Sequence, residues 1–341
     1  MNRNRRLINL QLFGYNSNAT TDSGMSAEMK TYYDKELIRL AKPKLVHDQF
    51  AQTRDIPKNG GKTIEFRKFN PLPKALTPLT EGVTPDGLKA SVSYQTATVA
   101  QYGSYLAYTD QLSLTTIDNT VLEFTKLNAD QAGRTLDTIT RDAINAGTQV
   151  NYVGDRLSRS LIQSTDTIKP YDIEFAAALL KGANTPEIDG GGYVAIMHPY
   201  VVFDLRTSSE FIEWHKYAAP EQLFNGEVGR IGNVRIIEST EAKIWNDNTC
   251  PVISAGAGTV PAVYRSIFST LVVGANAYAT TKVTGGGLQQ IIKPIGSGDD
   301  PLNQRGTIGW KAIKVSEILV DAYMVRIESA SKFSERVTSP N

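Results

Sequence analysis

The amino-acid sequence predicts an α+β fold with a long hairpin projecting from a mixed body. Three observations support this class. Two strand-like stretches with alternating side chains flank a proline-rich segment, residues 70–85. One long helical pattern follows them, and helical and strand-like segments then mix up to the C-terminus. Because the strands are joined mostly by short turns, we expect mainly antiparallel pairing.

The composition is that of an ordinary globular protein and excludes several classes of function. The 341 residues allow about two domains and a sizeable core. The 36 basic and 35 acidic residues leave a formal net charge of +1, and no block of like charges occurs. A protein whose main function is to bind nucleic acid usually carries an excess of basic residues on one face. Direct binding of nucleic acid is therefore not expected.

The N-terminus and the single cysteine indicate a protein made in the cytosol. The basic start runs into an apolar stretch that Asn9 and Gln11 interrupt, unlike a signal peptide. No segment approaches the ~18 apolar residues of a membrane span. Cys250 has no partner for an internal disulfide, and we expect a small buried residue there, not a nucleophile.

The first 60 residues are expected to form an arm and a helix. Residues 1 to about 25 are polar and favour an extended arm. Ser26 can cap a helix that Pro43 ends. Its apolar residues recur at helical spacing: Met29, Tyr33, Leu37 and Leu40.

The projecting hairpin is predicted from two alternating arms. In the outgoing arm, Lys62–Phe69, Ile64 and Phe66 lie on one face. Prolines between residues 70 and 85 indicate a stiff, extended tip. The return arm carries no charge between Lys89 and Asp110, and we expect it to be exposed unless a partner covers it. Its alternate positions are Val92, Tyr94, Thr96, Thr98, Ala100 and Tyr102.

One long helix is predicted from Asp118, a good N-cap, to Asn145. At 1.5 Å per residue it would be roughly 40 Å long. Two acid–base pairs spaced four residues apart, Asp130–Arg134 and Asp137–Arg141, are interpreted as pairs on an exposed face.

The remaining chain alternates between helices and strands. We expect a helix from about Asp172, a buried strand Tyr193–Met197, and a helix beginning near Pro199. His198 lies between that strand and helix, and we expect it to fill or cap the turn. A hairpin turning at Gly232-Asn233 follows, and residues 306–328 are predicted to form two strands.

A search for catalytic patterns indicates no enzyme, no cofactor and no metal. The three histidines, His47, His198 and His215, are too scattered for metal spacing. The glycine clusters 190–192 and 285–287 lack the other residues of a phosphate-binding loop. The adjacent Asp299 and Asp300 are better explained as a loop before Pro301, because neighbouring residues rarely point to one atom.

The order of these parts resembles the major capsid proteins of tailed phages with the Hong Kong 97 fold. Four local strings are similar to that family: Asn9–Phe13, His198–Arg206, Val228–Ser239, and Asp300–Lys311 with Met324–Glu328. Each string alone is weak evidence for the family, and the resemblance depends on the order in which the strings occur. The resemblance implies five regions: 1–60 N-terminal arm and helix, 61–110 E-loop hairpin, 111–169 P-domain with spine helix, 170–290 A-domain, and 291–341 strands returning into the P-domain.

The resemblance also implies function. The chain would self-assemble as hexamers and pentamers into an icosahedral shell around a phage genome, assembled in the host cytoplasm and ending in the virion. The expected partners are many copies of itself, a portal and encapsulated DNA without sequence-specific contacts. A separate scaffolding protein is expected because about 60 residues are too few for a fused domain plus an arm.

Five side chains of the predicted hairpin are candidates for contacts between subunits: Phe66, Arg67, Phe69, Tyr94 and Tyr102. Each is also compatible with packing inside the hairpin. Two other functions stay open from the sequence. An encapsulin, a bacterial compartment shell of the same fold, is the nearer alternative, and a cytosolic enzyme with an unrecognised site is the other.

Overall fold

The computed structural model of the chain describes most of the sequence. The described residues are 46–337 and 341, apart from 71, 80, 83, 85, 116–119, 189–190, 210, 212–228, 255–261, 284 and 297–299. The predicted N-terminal arm, the helix beginning at Ser26, the capping role of Asp118, and His215 lie outside them.

The described residues mix four α-helices with sixteen strands, as the predicted α+β class requires. The helices are α1 (Asp110–Thr115), α2 (Thr120–Ile144), α3 (Pro170–Gly182) and α4 (Pro199–Arg206). The first eight strands are β1 (Gln52–Ile56), β2 (Thr63–Phe69), β3 (Val92–Thr98), β4 (Ala100–Thr109), β5 (Val150–Tyr152), β6 (Tyr193–Met197), β7 (Arg230–Ile231) and β8 (Val234–Glu238). The others are β9 (Ile244–Trp245), β10 (Val252–Ser254), β11 (Val263–Tyr264), β12 (Ile267–Val273), β13 (Tyr278–Val283), β14 (Gln289–Lys293), β15 (Arg305–Ile318) and β16 (Met324–Ser329).

The largest sheet forms the centre of one half of the body. Its strand order is β5-β16-β12-β6-β8-β7, and β9 pairs with β12. All five residues of β6 are buried. Helices α3 and α4 cover one face, while Ile144 at the end of α2 packs with Tyr278 and Met324 against the other. A sheet covered on both faces explains the continuous apolar run in β6.

The second sheet is organised around the long strand β15. Strand β4 pairs with β15 over ten residues, from Thr109 opposite Arg305 to Ala100 opposite Lys314. Strand β14 pairs with the first half of β15, and β13 with its end. Helix α2 lies on this sheet, and its cluster is Ala129, Ala132, Leu136, Trp310 and Ala312.

The predicted return arm of the hairpin divides between two sheets. Residues Val92–Thr98 pair with β2, in register from Thr63 opposite Thr98 to Phe69 opposite Val92. At Val99 the chain leaves the hairpin, and β4 continues into the sheet around β15. The alternating pattern runs through Val99 without a break, and so the sequence does not reveal this change of partner.

The long helix α2 is confirmed, but the expected exposure of its Asp137–Arg141 pair is wrong. Asp137 is fully buried and accepts hydrogen bonds from the backbone N–H of His47 at 2.8 Å and from His47 Nδ1 at 2.7 Å. Arg141 is 1 % exposed and donates to the carbonyl oxygen of Glu241 at 2.8 Å. Segments distant in sequence cover this face of the helix, which local spacing cannot indicate.

A buried polar cluster ties the residues before β1 to the helix and to β15. Lys314 Nζ lies 2.6 and 2.7 Å from the two carboxylate oxygens of Asp48, and it also donates to the carbonyl oxygen of Leu136 at 2.9 Å. Thr140 donates to Asp48 at 2.5 Å. Because buried charges need partners, this cluster fixes where the chain enters the hairpin.

Candidate subunit-interface surfaces

The hairpin of β2 and β3 is a two-stranded sheet of its own. In the part of the chain that the structure describes, neither strand pairs with a third strand, and so both outer edges present free backbone groups. Two-stranded hairpins are marginally stable alone. The base of this one is supported by the body.

The inner face of the hairpin packs on the sheet around β15. Phe66, 6 % exposed, forms a cluster with Ala97 and Ala279. Gln95 Nε2 donates to Glu317 Oε1 at 2.8 Å, which fixes the same face. Phe66 therefore packs within its own chain in this conformation. Packing within the chain was the alternative to a subunit contact that the sequence left open.

The outer part of the hairpin is apolar and exposed. Phe69 is 74 % exposed and Tyr94 is 67 % exposed. The described tip adds four exposed leucines: Leu72, Leu76, Leu79 and Leu88. Contiguous apolar side chains in water mark a surface that a partner covers. Phe69 and Tyr94 are therefore open to contact from outside the chain.

Arg67 lies directly opposite Tyr94 in the ladder. Its guanidinium, largely exposed, lies 3.1 Å from Glu65 Oε2. A groove of about 440 Å³ lies between the hairpin and the body, and residues of both hairpin faces line it, among them Phe66 and Arg67. The side chains of Arg67 and Tyr94 are largely exposed, and both are therefore reachable from outside the chain.

Tyr102 is separated from the other four candidates. It lies on β4 opposite Ala312, and its half-buried side chain packs against the cluster between α2 and β15. The hairpin thus holds four of the five candidates, and one of those four, Phe66, is buried.

Sequence reasoning missed a second exposed apolar surface, on α3. Tyr171 (66 % exposed), Phe175 (41 %) and Leu179 (43 %) recur every four residues along the solvent face of this helix. The available signal was that apolar residues occupy both faces of the segment 170–182, unlike an amphipathic surface helix.

Two residues singled out from the sequence have structural roles, as expected. His198 is the N-cap of α4, and its Nδ1 accepts from the backbone N–H of Tyr200 at 3.2 Å. Burial lowers the pKa of His198 from 6.5 to about 4. Cys250 is buried, and burial raises the pKa of its thiol.

Metal and membrane sites were also sought over the described ranges. Within them, no group of three or more His, Cys, Asp or Glu side chains could hold a metal ion. None of the helices that the structure describes combines the length and the apolar character needed to cross a membrane.

Comparison with known proteins identifies the fold. No protein-family model matches the sequence, and no curated protein matches it. Among solved structures, the capsid of Ralstonia phage GP4 is similar with a TM-score of 0.62 and 16% identity, covering 86% of this chain and 89% of the phage chain. The capsid of cyanophage Pam1 has a TM-score of 0.62 and 14% identity, and the match covers 83% of this chain and 89% of the phage chain. The holo-SrpI encapsulin of Synechococcus elongatus has a TM-score of 0.54 and 9% identity, and the match covers 86% of this chain and 90% of the encapsulin chain.

These likenesses extend over nearly the whole of both chains in each comparison. The chain therefore has the fold of phage capsid proteins, which the encapsulin shares, and the predicted resemblance is confirmed at the level of the fold. At such low identity the likeness concerns the fold alone.

Proposed function

We propose that this chain is the major capsid protein of a tailed phage, which assembles as hexamers and pentamers into an icosahedral shell around the genome. One observation carries the proposal. In a chain with the capsid fold, the hairpin is fixed at its base through Phe66 while its outer part exposes Phe69 and Tyr94. A projecting arm of this kind suits contact with a neighbouring copy.

Such contacts would use two means of joining subunits. The free edges of β2 and β3 can accept backbone hydrogen bonds from a neighbour, and the apolar outer side chains can be covered by it. Stable interfaces bury on the order of 800 Å² per partner, which a long hairpin can distribute over a neighbouring surface. The net charge of +1 limits repulsion among many copies.

The role proposed is structural, and no catalytic step is assigned. Phe66, Arg67, Phe69, Tyr94 and Tyr102 remain the candidates for subunit contacts, with Phe69, Arg67 and Tyr94 the accessible ones. The proposed partners are further copies of the chain, a separate scaffolding protein, a portal, and DNA held without sequence-specific contacts. The proposed location is the virion, after assembly in the host cytoplasm.

A bacterial compartment shell is the second candidate, supported by the similarity to the SrpI encapsulin. Two phage capsids have higher TM-scores, 0.62 against 0.54, and this difference favours the phage assignment. Both candidates predict closed shells. They differ in content, because a phage head holds DNA and a compartment holds protein cargo.

The test is electron microscopy and sedimentation of the purified chain, expressed with and without a candidate scaffolding protein. We expect closed shells, or rings of five and six subunits. A monomer or dimer under every condition would contradict the structural role. Shells that acquire DNA in infected cells support the phage function, and shells that carry only a protein cargo support the compartment.

A further inference from the structure

The groove between the hairpin and the body carries an excess of positive charge. We call it the basal groove. Its lining includes Arg54 of β1 with Arg67 and Lys68 of β2, and none of the residues that line it is an aspartate or a glutamate. Arg67 is shared with Glu65, 3.1 Å away. Arg54 and Lys68 are exposed, and in the part of the chain that the structure describes neither forms an ion pair. Cations gathered in a concave surface attract an anionic partner.

Two aromatic contacts hold these cations at the basal groove. The guanidinium of Arg54 lies 5.7 Å from the ring centroid of Phe66, and the ammonium of Lys68 lies 5.3 Å from that of Tyr323. Both distances are within the range of cation–π attraction. Both rings belong to the lining, and so does the ring of Tyr94. The basal groove therefore combines positive charge held in place with aromatic walls.

The body side of the basal groove includes strand β1. Gln52 and Arg54 of this strand line the groove, and among the described strands β1 pairs only with β13. One edge of β1 therefore keeps free backbone donors and acceptors, which an extended segment can use. Proline-containing extended segments also bind to aromatic-lined grooves. The chemistry of the groove thus selects an extended, acidic segment with prolines.

The tip of the hairpin has this chemistry. Residues 75–88, which we call the tip segment, include Glu81, Asp86 and prolines 78 and 85, and they contain no lysine or arginine. Both carboxylates are exposed, and over the described ranges neither forms an ion pair. Two unpaired acids thus match the two unpaired cations of the groove. No residue of the tip segment lines the groove of its own chain, and so the partner has to come from another copy.

We propose that the tip segment of one copy binds in the basal groove of a neighbouring copy, with Glu81 and Asp86 beside Arg54 and Lys68. This inference rests on the proposed shell function, because the shell supplies the neighbour. Each copy gives one surface and receives a different one, and a contact of this kind can continue around a ring.

Reversal of the charges tests the contact. Glu81→Lys with Asp86→Lys should raise the protein concentration needed for half-maximal assembly about ten-fold, because opposite charges become like charges. Arg54→Glu with Lys68→Glu should have the same effect. The chain with all four substitutions should assemble within about two-fold of the native concentration, since the pairs are restored in reverse. Sedimentation of the assembled fraction measures each value. A fourfold variant that assembles no better than either double variant overturns the contact.

A matched control separates the contact from an effect of net charge. Lys58 and Lys62 are exposed and lie outside the lining of the groove. Lys58→Glu with Lys62→Glu therefore changes the charge equally, and it should not restore assembly to the chain with the reversed tip. Restoration by this pair would mean that net charge governs assembly, and it would overturn the inference.

Disulfide cross-linking tests the same contact with the charges unchanged, and it decides the question should the groove variant melt early. In a Cys250→Ala background, Leu79→Cys in the tip is combined with Gln52→Cys in the groove. Mildly oxidised particles should give covalent oligomers on a non-reducing denaturing gel. Leu79→Cys alone, or with Leu157→Cys at a residue that is 89 % exposed, should give none. Oligomers from either control, or none from the Gln52 pair, overturn the inference.

The failures of the two proposals are distinguishable. Reversed-tip particles that form at the native concentration overturn the tip contact and leave the shell function intact. Loss of assembly in the groove variant alone would mean that another acidic partner fills the groove, and this result also overturns the contact. A native chain that forms neither rings nor shells under any condition overturns the shell function, and the contact with it.

Discussion

Arg159 donates to both carboxylate oxygens of Glu328, at 2.7 and 2.8 Å, and the Glu328 side chain has no solvent exposure. Arg326 donates to the same carboxylate at 2.9 Å. The guanidinium of Arg159 also lies 3.8 Å from the ring centroid of Trp245 on β9. Because Arg326 further donates to the carbonyl oxygens of Asn145 and Gly147, this group joins β16 to the end of α2.

Glu328→Gln should lower the free energy of unfolding by about 3–5 kcal/mol. The substitution keeps the shape of the side chain but leaves two guanidinium groups beside a buried neutral amide, and breaking a buried ion pair costs this much. Denaturant unfolding of the unassembled chain measures the change. The matched control is Glu65→Gln in the exposed pair with Arg67, which should cost less than about 1 kcal/mol. Equal losses in both variants would contradict the assigned role of Glu328.

Stability should fall as the pH drops from about 6.5 towards about 4, in part because of His198. Burial lowers the pKa of His198 from 6.5 to about 4, and so the unfolded chain binds a proton in this range while the folded chain does not. The full contribution is present above pH 6.5, and its loss is at most about 3 kcal/mol. Urea unfolding at several pH values measures the slope. His198→Asn keeps an acceptor for the backbone N–H of Tyr200 and should flatten the dependence of the unfolding free energy on pH. An unchanged dependence would show that His198 is not its source.

Substitutions at Phe66 and Tyr94 should have different effects, the first on the stability of the folded chain and the second on assembly. Phe66→Ala removes a buried ring and should lower unfolding free energy by about 3–5 kcal/mol. Tyr94→Ala removes a ring that is 67 % exposed, and it should leave the melting temperature of the unassembled chain nearly unchanged while reducing shell formation. Calorimetry and sedimentation measure the two effects. The prediction fails if Tyr94→Ala assembles like the native chain, or if it melts as early as Phe66→Ala.

Gly103→Val should destabilise the pairing of β4 with β15. A Cβ atom at this position would lie 2.6 Å from the carbonyl oxygen of Trp310, a backbone atom that cannot turn away. Overpacking of this kind typically costs 1–3 kcal/mol. Thermal unfolding measures the loss. Gly87→Val in the hairpin tip is the control, since a Cβ there meets nothing within 4 Å; a comparable loss in the control would show that the close approach is not the cause.

Local patterns predicted the elements whose neighbours are close in sequence. The alternation of Ile64 and Phe66 predicted β2, and the apolar run of Tyr193–Met197 predicted β6. The turn at Gly232-Asn233 appears between β7 and β8, as expected. His198 could be placed because a strand, a proline and a helix follow one another within a few residues.

The sequence could not show which distant segments cover an element. Asp137 has the spacing of a surface ion pair, and only the tertiary fold shows that His47 covers it. The alternating pattern between Val92 and Tyr102 is the same on both sides of Val99, although the two halves join different sheets. The exposed Tyr171, Phe175 and Leu179 of α3 were missed for a related reason: an apolar residue on a helix is normally explained by packing against its own core.

The ladder between β4 and β15 has a consequence for the order in which the chain can fold during synthesis. Strand β4 pairs with residues that leave the ribosome about 200 positions later. Until that late strand arrives, the body to which the hairpin base attaches is incomplete. A nascent chain therefore cannot hold its hairpin in the final orientation before β15 has been made, and under the proposed function productive encounters between copies would wait for that strand.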